Sequence, residues 1–444
     1  MFFSTYTLYF TPSKKITPAS LKKSLFASID DILEHKDKYL VNPQTAFSRT
    51  QKISFHDAML FPIVAASEST SVEMLDFLPV SKMPSQPAMN YRRDQIKVSA
   101  FSNLFKDFTA KLPQSKTFHG MHLIACDGTR LNTPYNPKDP ESFVCTIEGR
   151  KGFNQYHLNT CYDVLNDMFT DAVIQGYFSM NEKLAFCEMM DRYPKDKPVL
   201  FIADRGYASY NVIAHAMHND HNFVIRLTSA MAKNIFDSVK EFTDLEEFDI
   251  EEVIHVGRIR TKEAMSYPNY HCIHSRYQYD YIPARDKKID AFQVRLVKIK
   301  LPSGEDEYLL TNLAQSAFTI SDLKYIYRRR WRIETAYRCL KYVSGMVHIH
   351  SIKNHFIFQE IYAKLIGYNY CAAIMRSTKV KDSDNKKYIY VIDKTYLFKT
   401  CIRFLKGKLK KIQELFIKRK VPVRAGRKFE RILRRQHADT LQYR

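Results

Sequence analysis

No apolar run in the chain approaches the ~20 residues of a membrane span; Met59 to Ala66 is short and broken by Pro62. There is no C-x-x-C pair either. Cys126, Cys145, Cys161, Cys187, Cys272, Cys339, Cys371 and Cys401 lie far apart, mostly in apolar surroundings. This suits reduced thiols in a cytoplasmic compartment. The apolar start Met1-Phe2-Phe3 has neither a preceding positive region nor a small-residue cleavage site, so it does not read as a signal peptide. Internal repeats are missing, and tryptophan occurs once, at Trp331. Acidic residues are outnumbered, 47 against 68 Lys+Arg, for a formal charge of +21 over 444 residues. Such an excess calls for a polyanionic partner, most often nucleic acid, with binding that weakens steeply in salt. Charge alone leaves RNA or an anionic membrane open. The hydrophobic content of 45% is normal for a folded chain and, at this length, allows two to four structural units.

Residues 1–115 read as short helices. Thr17-Pro18 supplies a cap and a first-turn proline ahead of Leu21, Leu25, Ile29 and Leu33. Ser85-Gln86-Pro87 and the basic Tyr91-Arg92-Arg93 precede a helix carrying Phe101, Leu104, Phe105 and Phe108. This region is expected to be a DNA-binding domain, a helix-turn-helix reader, with a plain helical bundle as the alternative. From 116 to 228 the texture becomes α/β. Met121 to Cys126 is a short apolar strand expected to end at Asp127-Gly128-Thr129, and Ser142–Glu148 and Gln155–Leu165 are further strands. A helix spans Asn181 to Arg192, Val199 to Ala203 is a buried strand ending at Asp204, Ser209 caps a helix, and Asn222 to Leu227 is a strand. Residues 229–314 read as a β-rich insertion, with strands at Glu252–Val256, Tyr267–Tyr281 and Phe292–Ile299. Residues 315–380 are helical, first to about Ser344 and again from His355 to Arg376. After a polar linker at 381–387, the rest of 381–444 is a basic helical tail including Lys406, Lys408, Arg424, Arg427 and Lys428.

Two apolar strands thus lead into an Asp. A carboxylate there is held at a sheet edge, and two on neighbouring strands repel unless a divalent cation joins them. Taken singly, each Asp-Gly or Asp-Arg-Gly also suits an ordinary turn. The helix expected at 321–344 adds Tyr327, Arg330, Glu334 and Lys341, which at ~100° per residue share about 60° of arc. Ile326, Ile333 and Leu340 form an apolar seam beside them, where the bland reading is a solvated helix with scattered ion pairs. Three carboxylates holding two Mg²⁺ ions about 3.5–4 Å apart activate the nucleophile and stabilise the leaving oxygen of a phosphodiester. Arg330 and Lys341 are placed to grip flanking phosphates, Arg as a fork and Lys as a point charge. His271, Cys272 and His274 lack a second ligand pair and read as strand residues rather than a zinc site.

The run Tyr327-x-x-Arg330-x-x-x-Glu334-x-x-x-x-x-x-Lys341, with Arg330-Trp331-x-Ile333-Glu334 inside it, resembles the Y-R-E-K signature of bacterial insertion-sequence transposases of the IS4 type. Asp127-Gly128-Thr129 and Ala203-Asp204-Arg205-Gly206 resemble that family's two aspartate motifs. Val421-Pro422-Val423-Arg424-x-Gly426-Arg427 resembles a basic sequence near its C-terminus. The resemblance implies an RNase H-like catalytic core interrupted by a β-rich insertion. It also implies binding to terminal inverted repeats of double-stranded DNA and cut-and-paste movement by cleavage and strand transfer. A homodimer on DNA is expected, with Mg²⁺ as cofactor and Mn²⁺ as its substitute. Asp127, Asp204 and Glu334 would hold the metals, and Tyr327, Arg330 and Lys341 the DNA. Location would be the bacterial cytoplasm, at the nucleoid when bound to DNA, with no membrane partner. The rivals are a non-catalytic DNA-binding descendant and a metal-dependent nuclease without strand transfer. Some family members stack a flipped base on a tryptophan of the insertion, which this chain lacks.

Overall fold

The computed structural model describes residues 17–49, 52–145, 151–242, 245–378 and 390–422. Helix α1 (Pro18–Glu34) starts where the Thr17 hydroxyl accepts the Ser20 N–H at 3.1 Å and Pro18 occupies the first turn. It buries Leu21, Leu25 and Ile29, then Ile32 rather than Leu33. After α2 (Lys36–Tyr39), α3 (Phe55–Val64) and α4 (Thr70–Phe77) come α5 (Gln86–Asp94) and α6 (Val98–Lys111), which buries Phe101, Leu104, Phe105 and Phe108. The arginines of α5 point inward. Arg92 lies 4.2 Å from the Phe47 ring centroid, and Arg93 pairs with buried Glu360 at 3.3 Å. Neither is placed to read DNA.

Ten strands form one sheet. They are β1 (His122–Thr133), β2 (Phe143–Val144), β3 (Phe153–Asp163), β4 (Met168–Gly176), β5 (Val199–Ala203), β6 (Asn222–Leu227), β7 (Phe248–Gly257), β8 (Tyr270–Cys272), β9 (Ile289–Lys300) and β10 (Asp306–Thr311). The path β4-β3-β1 is antiparallel, and β1-β5-β6 is parallel. Three antiparallel strands followed by two parallel ones make a mixed α/β, RNase H-like core. The insertion strands extend it: β10 pairs antiparallel with β6, followed by β9, β7 and β8. Only three residues of the strand expected over Tyr267–Tyr281 are extended, and β4 was not anticipated.

Alternate residues of each strand enter different cores, as the pleat requires. Ile124, Cys126, Phe201 and Ile225 face α7 (Glu182–Asp191) and α8 (Tyr210–His218). Leu123, Ala125, Leu200, Ile202 and Val224 face the helices that follow the insertion. The insertion itself adds the one-turn helices α9 (Ser229–Ala232) and α10 (Lys262–Met265). The helix expected from 321 to 344 is broken into α11 (Ile320–Arg329), α12 (Arg332–Arg338) and a π-helical turn over Cys339–Val343. The seam survives, with Ile326, Ile333 and Leu340 each 0% exposed. The phase does not, so a single arc calculated for a continuous helix fails to describe the four signature side chains.

Helix α13 (Asn354–Ser377) is buried along most of its length and packs on α3, α6 and α14 (Lys394–Leu405). Before α14 comes β11 (Tyr390–Ile392) and after it α15 (Gln413–Lys418), and β11 pairs antiparallel with β12 (Lys420–Pro422). Lys406 of the basic tail is buried against Glu73 and Asp76, at 3.3 and 2.7 Å. The polar linker and Arg424, Arg427 and Lys428 lie outside the described residues. Among those described, no helix is long and apolar enough to cross a membrane.

Candidate active site

Strand register places the aspartates. His122 to Ala125 pair with Val199 to Ile202, and the same offset carried two residues further sets Asp127 level with Asp204. Leu200 to Ala203 pair with Asn222 to Ile225, which sets Asp204 level with Arg226 on β6. Arg226 in turn pairs with Leu309 on β10. Asp127 and Asp204 therefore stand on adjacent parallel strands, on the face covered by α11 and α12. Strand β5 stops at Ala203 as expected. β1 does not stop at Asp127 but runs on to Thr133, because Leu131 and Thr133 alternate inward and pair with β3.

Each aspartate is steadied by its own turn. Asp127 Oδ1 accepts the Gly128 N–H at 2.9 Å, and Asp204 Oδ1 accepts the Gly206 N–H at 2.8 Å. The Tyr337 hydroxyl donates to the Asp127 carbonyl at 2.7 Å and lies 2.7 Å from Thr160 Oγ1, so α12 is bolted to β1 beside the site. Glu334, also on α12, receives Arg330 Nη2 at 3.1 Å. Arg330 is buried beneath this contact, 4.8 Å from the Trp331 ring centroid and 5.8 Å from that of Tyr327. Trp331 itself is 55% exposed at the helix break.

The charges meet although the side chains do not close into a cage. Burial pushes the Asp127 carboxyl up to about 6, opposed by the Gly128 N–H and Arg330 and reinforced by Asp204 and Glu334. Burial alone would lower the Arg330 guanidinium, but Tyr327, Asp127, Glu334 and Asp204 together outweigh it. Arg330 is thus the cation among the three carboxylates. As placed, no three His, Cys, Asp or Glu side chains among the described residues stand close enough to share one metal ion. The donor set still fits a hard divalent cation: it offers carboxylate oxygens alone, and the Asp127 carboxyl sits in a field that added positive charge would relieve.

The other signature residues are partly engaged. Tyr327 is buried, with its hydroxyl pKa raised by that burial. Lys341 Nζ donates to the Arg130 carbonyl at 2.9 Å, and burial lowers its pKa. Sequence reasoning missed Arg226 and Glu307, which form an ion pair at 3.6 Å beside Tyr327 and Arg330. A charged residue inside the otherwise apolar Phe223–Leu227 run was the available signal. It also missed His157 and Glu182, 2.9 Å apart, which crowd the α7 side of Gly128. His271 stacks on Tyr210 and its Nε2 meets the Ile235 carbonyl at 2.9 Å.

A family model described as "Transposase DDE domain" matches residues 119–370. Among solved structures, the chain is similar to a piggyBac transposase synaptic complex with hairpin DNA seen by cryo-EM. The two share 9% identity with a TM-score of 0.50, over 93% of this chain and 87% of that one, a likeness of fold. No curated protein matches the chain.

Proposed function

The chain belongs to the DDE transposase family, and from that premise we propose an insertion-sequence transposase of the IS4 type. It is an enzyme of DNA cleavage and transposition. In this reading it acts as a homodimer on terminal inverted repeats and moves its element by cut and paste. Asp127, Asp204 and Glu334 are the metal-holding residues, and the observation that carries this is the register that sets Asp127 level with Asp204 beneath Arg330 and Glu334. Enzymes of this family use divalent metal ions; two Mg²⁺, or Mn²⁺ in their place, would supply the Lewis acidity that activates the nucleophile and steadies the leaving oxygen.

The chain's own residues do the rest. The stiff strands fix the two aspartates, and the Tyr337 hydroxyl fixes α12 against β1 so that Glu334 stays opposite them. Arg330 balances the carboxylates and orients Glu334 until DNA and cations share that charge. Lys341 keeps two N–H groups for a phosphate while its third holds β1, and Tyr327 lines the floor under the strand being cut.

The test uses duplexes carrying the element's ends. Asp127→Ala, Asp204→Ala and Glu334→Ala should each abolish strand cleavage and leave end binding largely intact. Substantial cleavage by any one of them removes that residue from the mechanism. Cleavage by the wild type without a joined product would make the enzyme a nuclease, and binding alone would make it a non-catalytic relative.

A further inference from the structure

β1 outruns its parallel neighbour. Pairing with β5 ends at Ala125–Ile202, yet β1 continues to Thr133, its other edge held by β3 down to Asn154. Six residues past Asp127 extend about 20 Å. The direction of their backbone groups follows from the ladder. The Leu123 carbonyl faces the β3 side, where it accepts the Val164 N–H at 2.9 Å, and the His122 N–H faces the β5 side, donating to Pro198 at 2.9 Å. Even-numbered residues of β1 therefore turn their N–H and C=O toward the side where β5 has stopped. For Gly128, Arg130 and Asn132 that edge has no partner strand among the described residues.

Two cations flank the edge. From the α12 face Lys341 donates to the Arg130 carbonyl at 2.9 Å. On the α7 face the Arg130 side chain is exposed and has no hydrogen bond or ion pair among the described residues. Glu182, the acid whose carboxyl feels its charge, is already engaged by His157 at 2.9 Å. By the same alternation the Arg130 and Asn132 N–H groups face away from β3, toward the open side. Donors along this open edge, with an unpaired guanidinium on its α7 side, complement a phosphodiester backbone.

We propose that the open edge of β1 from Gly128 to Asn132 seats the sugar–phosphate backbone of the DNA strand leaving the active site, with Arg130 and the Arg130 and Asn132 amides as its phosphate contacts. The proposal rests on the transposase reading above and adds a surface to it. Lys341 braces this edge from the other face, which couples the strand's seat to the helix that carries Glu334.

The experiment measures binding of the full chain to a fluorescent duplex of unrelated sequence across a salt series. Each lost phosphate contact lowers the slope of log affinity against log salt by about 0.9. Arg130→Ala should lower the slope by about that amount and weaken binding roughly three- to tenfold at low salt, while Arg130→Lys keeps the slope. Asn132→Asp still accepts the Gln155 Nε2 hydrogen, seen at 2.8 Å, but adds a negative charge and should weaken binding too. Lys287→Ala, on the exposed insertion, should change neither quantity. An unchanged slope in Arg130→Ala, or an equal loss in Lys287→Ala, overturns the assignment while leaving the transposase reading intact. A wild-type chain that shows no salt-dependent DNA binding overturns both.

Discussion

Replacing Asp127 by Asn should stabilise the metal-free protein while destroying its activity. Half-buried and near two other carboxylates, Asp127 has its carboxyl pushed from an ordinary 3.8 up to about 6, mainly by loss of solvation. At about 1.4 kcal/mol per pH unit, ionising it in the folded chain costs about 3 kcal/mol. The sign follows from proton linkage. Below about pH 4 the carboxyl is protonated in both folded and unfolded chains and no cost appears. As pH rises to about 6 the folded chain keeps a proton that the unfolded chain has lost, so stability falls; above that the full cost stands. Asn carries no charge and escapes it. Unfolding entropy scales with length, so for a chain of this size about 1 kcal/mol moves the midpoint by about 1 °C. Thermal melts at about pH 8 should therefore place Asp127→Asn about 3 °C above wild type, and at about pH 4 the two should coincide. Excess magnesium chloride should then raise the wild type and leave the variant unmoved. A variant whose advantage over wild type is no greater at the higher pH than at the lower, or one that magnesium stabilises equally, would refute the raised Asp127 carboxyl and its place in a cation site.

Three further outcomes are expected. Arg330→Lys should cut single-turnover cleavage by about 100-fold or more, because a point charge cannot both stack on Trp331 and hold Glu334. Retained rates would show that Arg330 acts through its charge alone. Arg93→Ala should destabilise by about 3–5 kcal/mol in denaturant melts, leaving Glu360 buried without its cation, and the paired Arg93→Met, Glu360→Leu chain should recover most of that loss. Gly128→Ala should lower both the melting temperature and cleavage, since a Cβ there would stand 2.3 Å from His157 Nε2. His157→Ala in the same chain should recover part of that loss, with Glu182 and Asn159 still close to the new Cβ.

Several elements were legible because their causes are local. The uniformly apolar Val199–Ala203 run reads as a buried strand, and it ends where Asp204 begins. Thr17 and Ser209 announce helix starts that the structure keeps. Asp-Gly is a strong turn signal and predicts an end to β1 at Asp127. The alternation of exposed Arg130 and Asn132 with buried Leu131 and Thr133 was the competing signal, and cross-strand pairing with β3 decided in its favour. The helix break at Arg330–Trp331 has no glycine or proline to betray it. Arg92 and Arg93 looked like a DNA-reading pair, but Phe47 and Glu360, the latter 267 residues from Arg93, draw them inward.

By itself the sequence determined the alternation of strands and helices through the core apart from β4, the apolar seam through Ile326, Ile333 and Leu340, the surplus of positive charge, and which acids and bases were available for chemistry. Those depend on neighbours along the chain and on which faces must leave water. Only the tertiary structure decided that Asp127, Asp204 and Arg226 stand level, that Arg330 turns in toward Glu334, and that β1 overhangs its neighbour. Register and side-chain direction are set by partners far away in sequence, whose pairing no local pattern encodes.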